Sequence, residues 1–185
     1  MDDITHLSQE EKEALLKLAR NAIDRRFDKN KPKVPVEMTP NLASSSGAFV
    51  TLHKNGALRG CIGRFTSDTD LTDTVTEMAQ SAAFEDPRFS PLRPDELDNV
   101  DLEISVLTPM RKITDVNEIE VGRHGIYIIQ GPMRGVLLPQ VATEQGWDRQ
   151  TFLEHTCLKA GLTPDCWKSG KVEIYLFSAE IFSEK

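Results

Sequence analysis

The residues whose types and spacing best suit chemistry lie in the run Leu58-Arg59-Gly60-Cys61-Ile62-Gly63. On a strand, side chains two apart share a face, so Arg59 and Cys61 are expected to project together, about 6–7 Å apart, while Leu58 and Ile62 point the other way. A guanidinium near the sulfur favours the thiolate, the form that attacks electrophiles, and burial opposes it. Gly60 and Gly63 weaken a strand interior, and the usual reasons to tolerate them are a bulge or the close approach of a ligand or another backbone. A plainer role fits the same residues, with Cys61 a small buried hydrophobe and Arg59 an ion-paired side chain.

A cysteine nucleophile wants a base within hydrogen-bond reach. If Asn55-Gly56 forms a two-residue turn, Leu58 faces His53, Arg59 faces Leu52 and Cys61 faces Val50, which puts His53 on the Leu58 face and away from the sulfur. His124, in the loop Gly122-Arg123-His124-Gly125, reaches Cys61 only through tertiary folding, and Glu103 is the carboxylate alternative. His155 and Cys157 are two apart on a helix and do not face each other. Without ligand spacing among the three cysteines and four histidines, no metal is expected to be held by protein ligands alone. Cys61, Cys157 and Cys166 are odd in number and form no CxxC, so one thiol at least stays free and a disulfide framework is not expected. Other polar residues sit at element ends, where binding groups are commonly mounted: Glu85-Asp86-Pro87-Arg88-Phe89, Arg134-Gly135 and Pro139-Gln140. Each has a local reading too, in which Asp86 ends a helix, Arg88 pairs with an acid and Gln140 bonds a loop backbone.

The elements that must hold these residues follow from pattern. Ser8 and Glu11 read as a capping box, and Leu15, Leu18, Ala19, Ala22 and Ile23 recur on one helical face behind it. From Lys31 to Gly47 three prolines and a Ser44-Ser45-Ser46-Gly47 run resist helix and central strand, and predict an extended segment. Apolar runs over Ala48–His53 and Ala57–Ile62 flank Asn55-Gly56, the strongest short-range hairpin signal. Leu71 to Ala83 reads as a helix with Leu71, Val75, Met78, Ala79 and Ala82 on one face, capped by Asp68 or Asp70 and ended at Asp86-Pro87. Val100, Leu102, Ile104 and Val106 alternate with Asp101, Glu103 and Ser105 as a half-buried strand. A second hairpin is expected over Ile126–Gln130 and Val136–Leu138, a helix capped by Asp148 with Gly161 at its end, a short turn at Thr163-Pro164, and a strand over Val172–Ser178. Hairpin-joined strands with helices between them predict an α+β fold on a mainly antiparallel sheet flanked by helices.

A chain of 185 residues falls within the prior for one domain over residues 1–185, or two subdomains sharing a core. Its 39% hydrophobic and 28% charged residues are ordinary for a globular protein. The net charge of -7 has the wrong sign for a general phosphate-backbone binder, so nucleic acid is not an expected partner. Two acids in the opening Met-Asp-Asp-Ile-Thr-His stand where a signal peptide needs positive charge, and no apolar run approaches the ~20 residues of a membrane helix. These features lead to an expectation of a cytoplasmic, membrane-free protein.

The run Leu58-Arg59-Gly60-Cys61-Ile62-Gly63 resembles the signature hexapeptide of the AMMECR domain family. Further matches follow in family order: Asp86-Pro87-Arg88-Phe89, Glu103 to Leu107, Arg134 to Ala142, Gly146-Trp147-Asp148, and Lys159-Ala160-Gly161-Leu162 with Trp167. The resemblance implies an α+β domain of two unequal subdomains with the hexapeptide near the cleft between them, and an association with Memo-like and radical SAM proteins. It implies no particular reaction and no cofactor. The residues and the resemblance together lead to an intracellular binding or accessory component whose cleft, built around Arg59, Gly60 and Cys61, holds a small anionic ligand or a partner's segment. Arg59, Arg88 and Arg134 would supply charge, Gly60 and Gly63 close approach, and Glu103 and Gln140 further polar contacts. The alternative is an enzyme using Cys61 as nucleophile or redox thiol, with His124 or Glu103 as base. A third reading makes the hexapeptide a packing seam.

Overall fold

In the computed structural model, which describes residues 6–185, the first helix opens on the capping box its sequence prescribes. Ser8 Oγ accepts from the Glu11 amide at 3.2 Å and the Glu11 carboxylate accepts from the Ser8 amide at 2.8 Å, satisfying two otherwise orphaned donors. The resulting helix α1 (Gln9–Phe27) buries Leu15, Leu16, Ala19, Ala22 and Ile23, while Leu18 is only partly covered. The acidic opening from Met1 to Thr5, on which the expectation of no leader was based, lies outside the described residues. Residues 31–47 carry no helix and no strand before Gly47, as their prolines require.

Two strands, β1 (Ala48–Lys54) and β2 (Ala57–Arg64), form the expected hairpin, with Asn55 at φ 52° and Gly56 at φ 79°. Positive φ at both central residues is what a type I′ turn demands, and Asn-Gly meets it at little cost. Helix α2 (Leu71–Phe84) follows and buries the five predicted apolar residues; Asp70 stands at its N-cap without a side-chain capping bond. Strand β3 (Val100–Leu107) pairs antiparallel with β1, and β8 (Ala179–Ser183) flanks β3, giving the order β2-β1-β3-β8. One face of this sheet presents Ala48, Val50, Leu52, Leu102 and Ile104 to α1 and α2, and these residues are fully buried.

A second four-stranded sheet has the order β4-β7-β5-β6, from β4 (Arg111–Ile113), β5 (Gly125–Gln130), β6 (Met133–Leu137) and β7 (Glu173–Phe177). Its neighbours all pair antiparallel. Helix α3 (Pro139–Gln145) and helix α4 (Arg149–Lys159) accompany it, with Asp148 capping α4 through a 2.8 Å bond from the Thr151 amide. Phe152, Leu153 and Cys157 of α4 join Ile126, Ile128, Ile174 and Leu176 in a separate core. The chain thus forms two compact units of unequal length, one running up to Leu107 and resuming at Glu180–Lys185, the other comprising Thr108–Ala179.

The fold class is the α+β class expected, with two sheets where one was foreseen. β4 and β8 are short, and α3 begins on Pro139 and lasts only seven residues, so neither strand nor helix period had room to show. The cysteines require a correction. Cys157 on α4 and Cys166 in the single turn Cys166–Lys168 are joined in a disulfide with Cα atoms 5.9 Å apart, leaving Cys61 free. Parity and CxxC spacing missed this pair because the chain reverses at Gly161, φ 76°, and brings back to the helix a cysteine nine residues on. Among the described residues no helix is long and apolar enough to cross a membrane.

Candidate functional site

The hexapeptide occupies β2, an outer strand of the first sheet, and its geometry turns on one irregularity. From the turn, Lys54 faces Ala57 and His53 faces Leu58, but the register then shifts, so that Leu52 faces Gly60 and Thr51 faces Cys61. Arg59 is the additional residue of a β-bulge, which breaks the strict alternation of the strand. The expected pairs Arg59 with Leu52 and Cys61 with Val50 are therefore each displaced by one position. Residues directly across from each other share a face, so Cys61 lies with Thr51, His53 and Leu58, while Gly60 and Ile62 lie with Leu52 and Val50 toward the helices. Ile62 points away from Cys61 as expected; Leu58, 43% exposed, does not. His53 likewise belongs to the thiol's face, on the diagonal position about 7–8 Å from Cys61.

Gly60 is needed where it stands. A β-carbon there would fall far inside van der Waals contact with the Ala82 carbonyl of α2, so the helix presses directly on the strand backbone. The close approach foreseen for this glycine is thus to the protein's own helix. At Gly63 a β-carbon would meet the ring of Phe49, which lies over the glycine from the neighbouring strand.

Cys61 is held by its peptide group. Its amide donates to Asp86 Oδ2 at 2.9 Å and its carbonyl accepts from Arg88 Nη2 at 3.4 Å, so both groups point outward from the sheet. The Thr51–Cys61 pair is then the close, non-hydrogen-bonded kind, and Thr51 Oγ1 donates to Cys61 Sγ at 3.2 Å. Asp86 is itself buried and accepts from Arg88 Nε at 3.0 Å, Nη2 at 2.8 Å and the Arg88 amide at 3.0 Å. The Arg88 hydrogen bonds hold the Asp86 carboxyl well below the usual carboxylate range, against burial, with the Cys61 amide adding to the effect. Arg88 keeps 55% of its side chain exposed, stacks over Phe89 at 5.5 Å, and has Nη1 unpartnered among the described residues.

Arg59 turns out to be committed elsewhere. Its Nε and Nη2 bond the two oxygens of Glu96 at 3.1 and 2.9 Å, its Nη1 reaches the Ser90 carbonyl at 3.0 Å, and only 12% of the side chain is exposed. Glu96 also accepts from Lys54 Nζ at 2.8 Å and from the Arg93 amide at 3.0 Å. The Arg59 hydrogen bonds hold the Glu96 carboxyl well below its ordinary value, against burial and with help from Lys54. The guanidinium foreseen beside the sulfur is thus neutralised in a buried bidentate pair.

Glu103 faces Thr51 from the opposite side, so Cys61, Thr51 and Glu103 form one row across β2, β1 and β3. Two strand spacings place Glu103 about 9–10 Å from Cys61, beyond direct hydrogen-bond reach. Arg134 on β6 and Gln140 on α3 belong to the second unit, where Arg134 is exposed and Gln140 Oε1 is buried without a partner. His124 also lies there; it is buried and its Nδ1 accepts from the Glu120 amide at 3.0 Å. No group of three or more His, Cys, Asp or Glu side chains among the described residues is arranged to hold a metal ion.

Two site residues, Thr51 and Glu96, are absent from the sequence candidates, and Asp86 stands there only as one of the polar residues at element ends. Thr51 was hidden by the register shift. Asp86 was read as a helix terminator, though its spacing from Arg88 allows the pair that forms. Glu96 follows Pro94-Asp95, the composition of a helical first turn, and bonds back to the Arg93 amide as such a glutamate should.

The chain as a whole is similar to known proteins. The AMMECR1 family model matches residues 16–182. Protein MK0488 of Methanopyrus kandleri is 46% identical over 97% of this chain and 91% of its own length. Protein NEQ441 of Nanoarchaeum equitans is 44% identical over 92% of this chain and 98% of its own. The crystal structure of the uncharacterized protein PH0010 from Pyrococcus horikoshii superposes with a TM-score of 0.79 at 40% identity, covering 94% of this chain and 91% of that one.

Proposed function

The chain belongs to the AMMECR1 family, and on that footing we propose that it is an intracellular binding or accessory component whose small anionic ligand seats beside Cys61, against Arg88. The observation that carries this reading is the anchoring of Arg88. Its charge is exposed, yet Asp86 fixes it to the same peptide that positions the thiol, so the cation and the sulfur are held in one frame. An arginine so pre-organised loses little freedom on meeting a carboxylate or phosphate and can present its remaining nitrogen to it. Arg59 contributes by keeping the strand in place, and Thr51 and His53 offer the polar side chains of the same face.

The test is titration of the chain with inorganic phosphate and with citrate, followed by the backbone amide resonances of residues 59–63 and 86–89. Saturable shifts that vanish in Arg88→Met support the reading; no shift with either anion at millimolar concentration ends it. The association with Memo-like and radical SAM proteins that the family resemblance implies would make the ligand, or the complex, part of a shared sequence of reactions. Co-purification of such a partner that depends on Arg88 is its check.

A second reading, Cys61 as nucleophile or redox thiol, is favoured by its being free and only partly buried, with the Thr51 hydroxyl donated to its sulfur to hold it in place. Iodoacetamide at neutral pH should then modify Cys61 in the folded chain, and more slowly in Thr51→Val.

A further inference from the structure

The second unit contains the Cys157–Cys166 disulfide, which plays no part in the Cys61 site. Both sulfurs are interior, the residues being 0% and 5% exposed, and both belong to the core cluster with Phe152, Leu153 and the partly buried Trp167. The chain that follows α4 is otherwise held by hydrogen bonds that are mostly local to it and by the packing of Leu162, Trp167 and Val172. Helix α4 ends at Gly161, the Leu162 amide bonds back to the Cys157 carbonyl at 3.0 Å, and after the turn Cys166–Lys168 the chain passes Gly170, again at positive φ, before β7 begins at Glu173. Trp167, adjacent to Cys166, has its indole nitrogen buried and unpartnered. Between two glycine-permitted reversals, the covalent bond and a few apolar side chains pin residues 161–172 to the core.

We infer that this disulfide is a redox latch on residues 161–172, shut when oxidised, and opened by dithiols only as fast as the second unit opens locally to expose its sulfurs. The exchange is balanced: a small dithiol attacks one sulfur as thiolate, forms a mixed disulfide, and leaves as its own cyclic disulfide. One S–S bond of the protein breaks, two protein thiols form, and two electrons and two protons pass from the reductant. Attack requires access, and the folded chain denies it. Opening the latch returns the segment's conformational freedom, which a cross-link otherwise removes from the loosened states.

The experiment uses the full chain, purified without reductant and then treated with dithiothreitol. Denaturation in N-ethylmaleimide should give one adduct before reduction, at Cys61, and three after it. Reduction of the folded chain should be at least about tenfold slower than in urea, since access then depends on opening. The reduced chain should unfold at least about 5 °C lower, and trypsin should cleave after Lys168 and Lys171 about tenfold faster. Tryptophan emission should rise as the disulfide beside Trp167 is lost. Cys157→Ser/Cys166→Ser should match the reduced chain with or without dithiothreitol; if that variant does not fold, the wild-type chain before and after reduction decides. Three adducts before reduction, even after incubation with oxidised glutathione, would overturn the inference. Equal unfolding temperature and equal cleavage in the two states would do the same.

Discussion

Glu96 receives Arg59, Lys54 and the Arg93 amide in a pocket that leaves 7% of its side chain exposed, so its charge is both buried and thoroughly compensated. Removing one member of such a group costs more than the pair is worth, because the remaining charge stays buried without a partner. Glu96→Gln should therefore destabilise the chain by about 3 kcal/mol, and Arg59→Met by a similar amount, while the double variant Arg59→Met/Glu96→Gln should lose far less than the sum. Urea midpoints for the four proteins give the cycle. The pH dependence has a definite sign. Both Glu96 and Asp86 have carboxyls held below their ordinary values in the folded chain. Their stabilisation is complete above the unfolded carboxylate range near pH 4 and is lost as pH falls below it toward the folded-state values. Stability of the wild-type chain should fall more steeply below about pH 4 than that of Glu96→Gln, and a pair of parallel curves would contradict the assignment.

The bulge in β2 and the helix pressed against it are a single construction. Gly60 lets α2 lie on the strand, and the bulge at Arg59 turns Gly60 toward the helix and Cys61 toward Thr51. Gly60→Ala should cost about 2–3 kcal/mol, the upper range for overpacking, because the colliding atom is helix backbone. Gly63→Ala would meet both the base of the Phe49 ring and the Ala48 carbonyl oxygen, which is strand backbone, and should cost a similar amount. Urea denaturation of both variants measures these costs. The same strand shows how far sequence carries. Asn55-Gly56 between apolar runs specified the hairpin of β1 and β2, and period-two alternation specified β3, because turn chemistry and one-sided burial are local rules. A bulge obeys no local rule beyond the presence of a glycine, and one inserted residue changed the partner of Cys61, returned His53 and Leu58 to its face, and released Arg59 to Glu96. Arg59, Gly60, Cys61, Gly63, Arg88 and Glu103 fall in the first unit and Arg134 and Gln140 in the second, a division no local pattern marks, and which of them bear free charge depends on Glu96 and Asp86 folding back from beyond α2.

Each unit has its own buried cluster, and the first is discontinuous in the chain: it breaks off at Leu107 and resumes at Glu180. At the root of the second unit the Thr108 amide donates to the Ser178 carbonyl at 2.9 Å and the Ser178 amide to Thr108 Oγ1 at 2.8 Å. The returning segment rejoins the first unit as β8 beside β3, with Phe182 against the core, and its carboxylates add to that. Glu180 meets Lys12 at 2.7 Å, and Glu184 accepts from the Leu102 amide at 2.9 Å and pairs with Arg20. Glu184→Ala removes a partly exposed pair and should weaken the first unit by about 1 kcal/mol, read as roughly fivefold faster hydrogen exchange at the Leu102 amide. The discontinuity also imposes an order in time. A ribosome delivers residues at about 5–20 per second from the amino end, and domains fold as they emerge. All of Thr108–Ala179 is out before Glu180 appears, so Arg20 and the Leu102 amide must wait, with the first sheet lacking β8, through the synthesis of an entire neighbouring unit. During that interval an edge strand rich in Leu, Ile and Val, β3, stands open to any passing strand. The nascent chain is therefore most vulnerable to mispairing after more than half of it has been made.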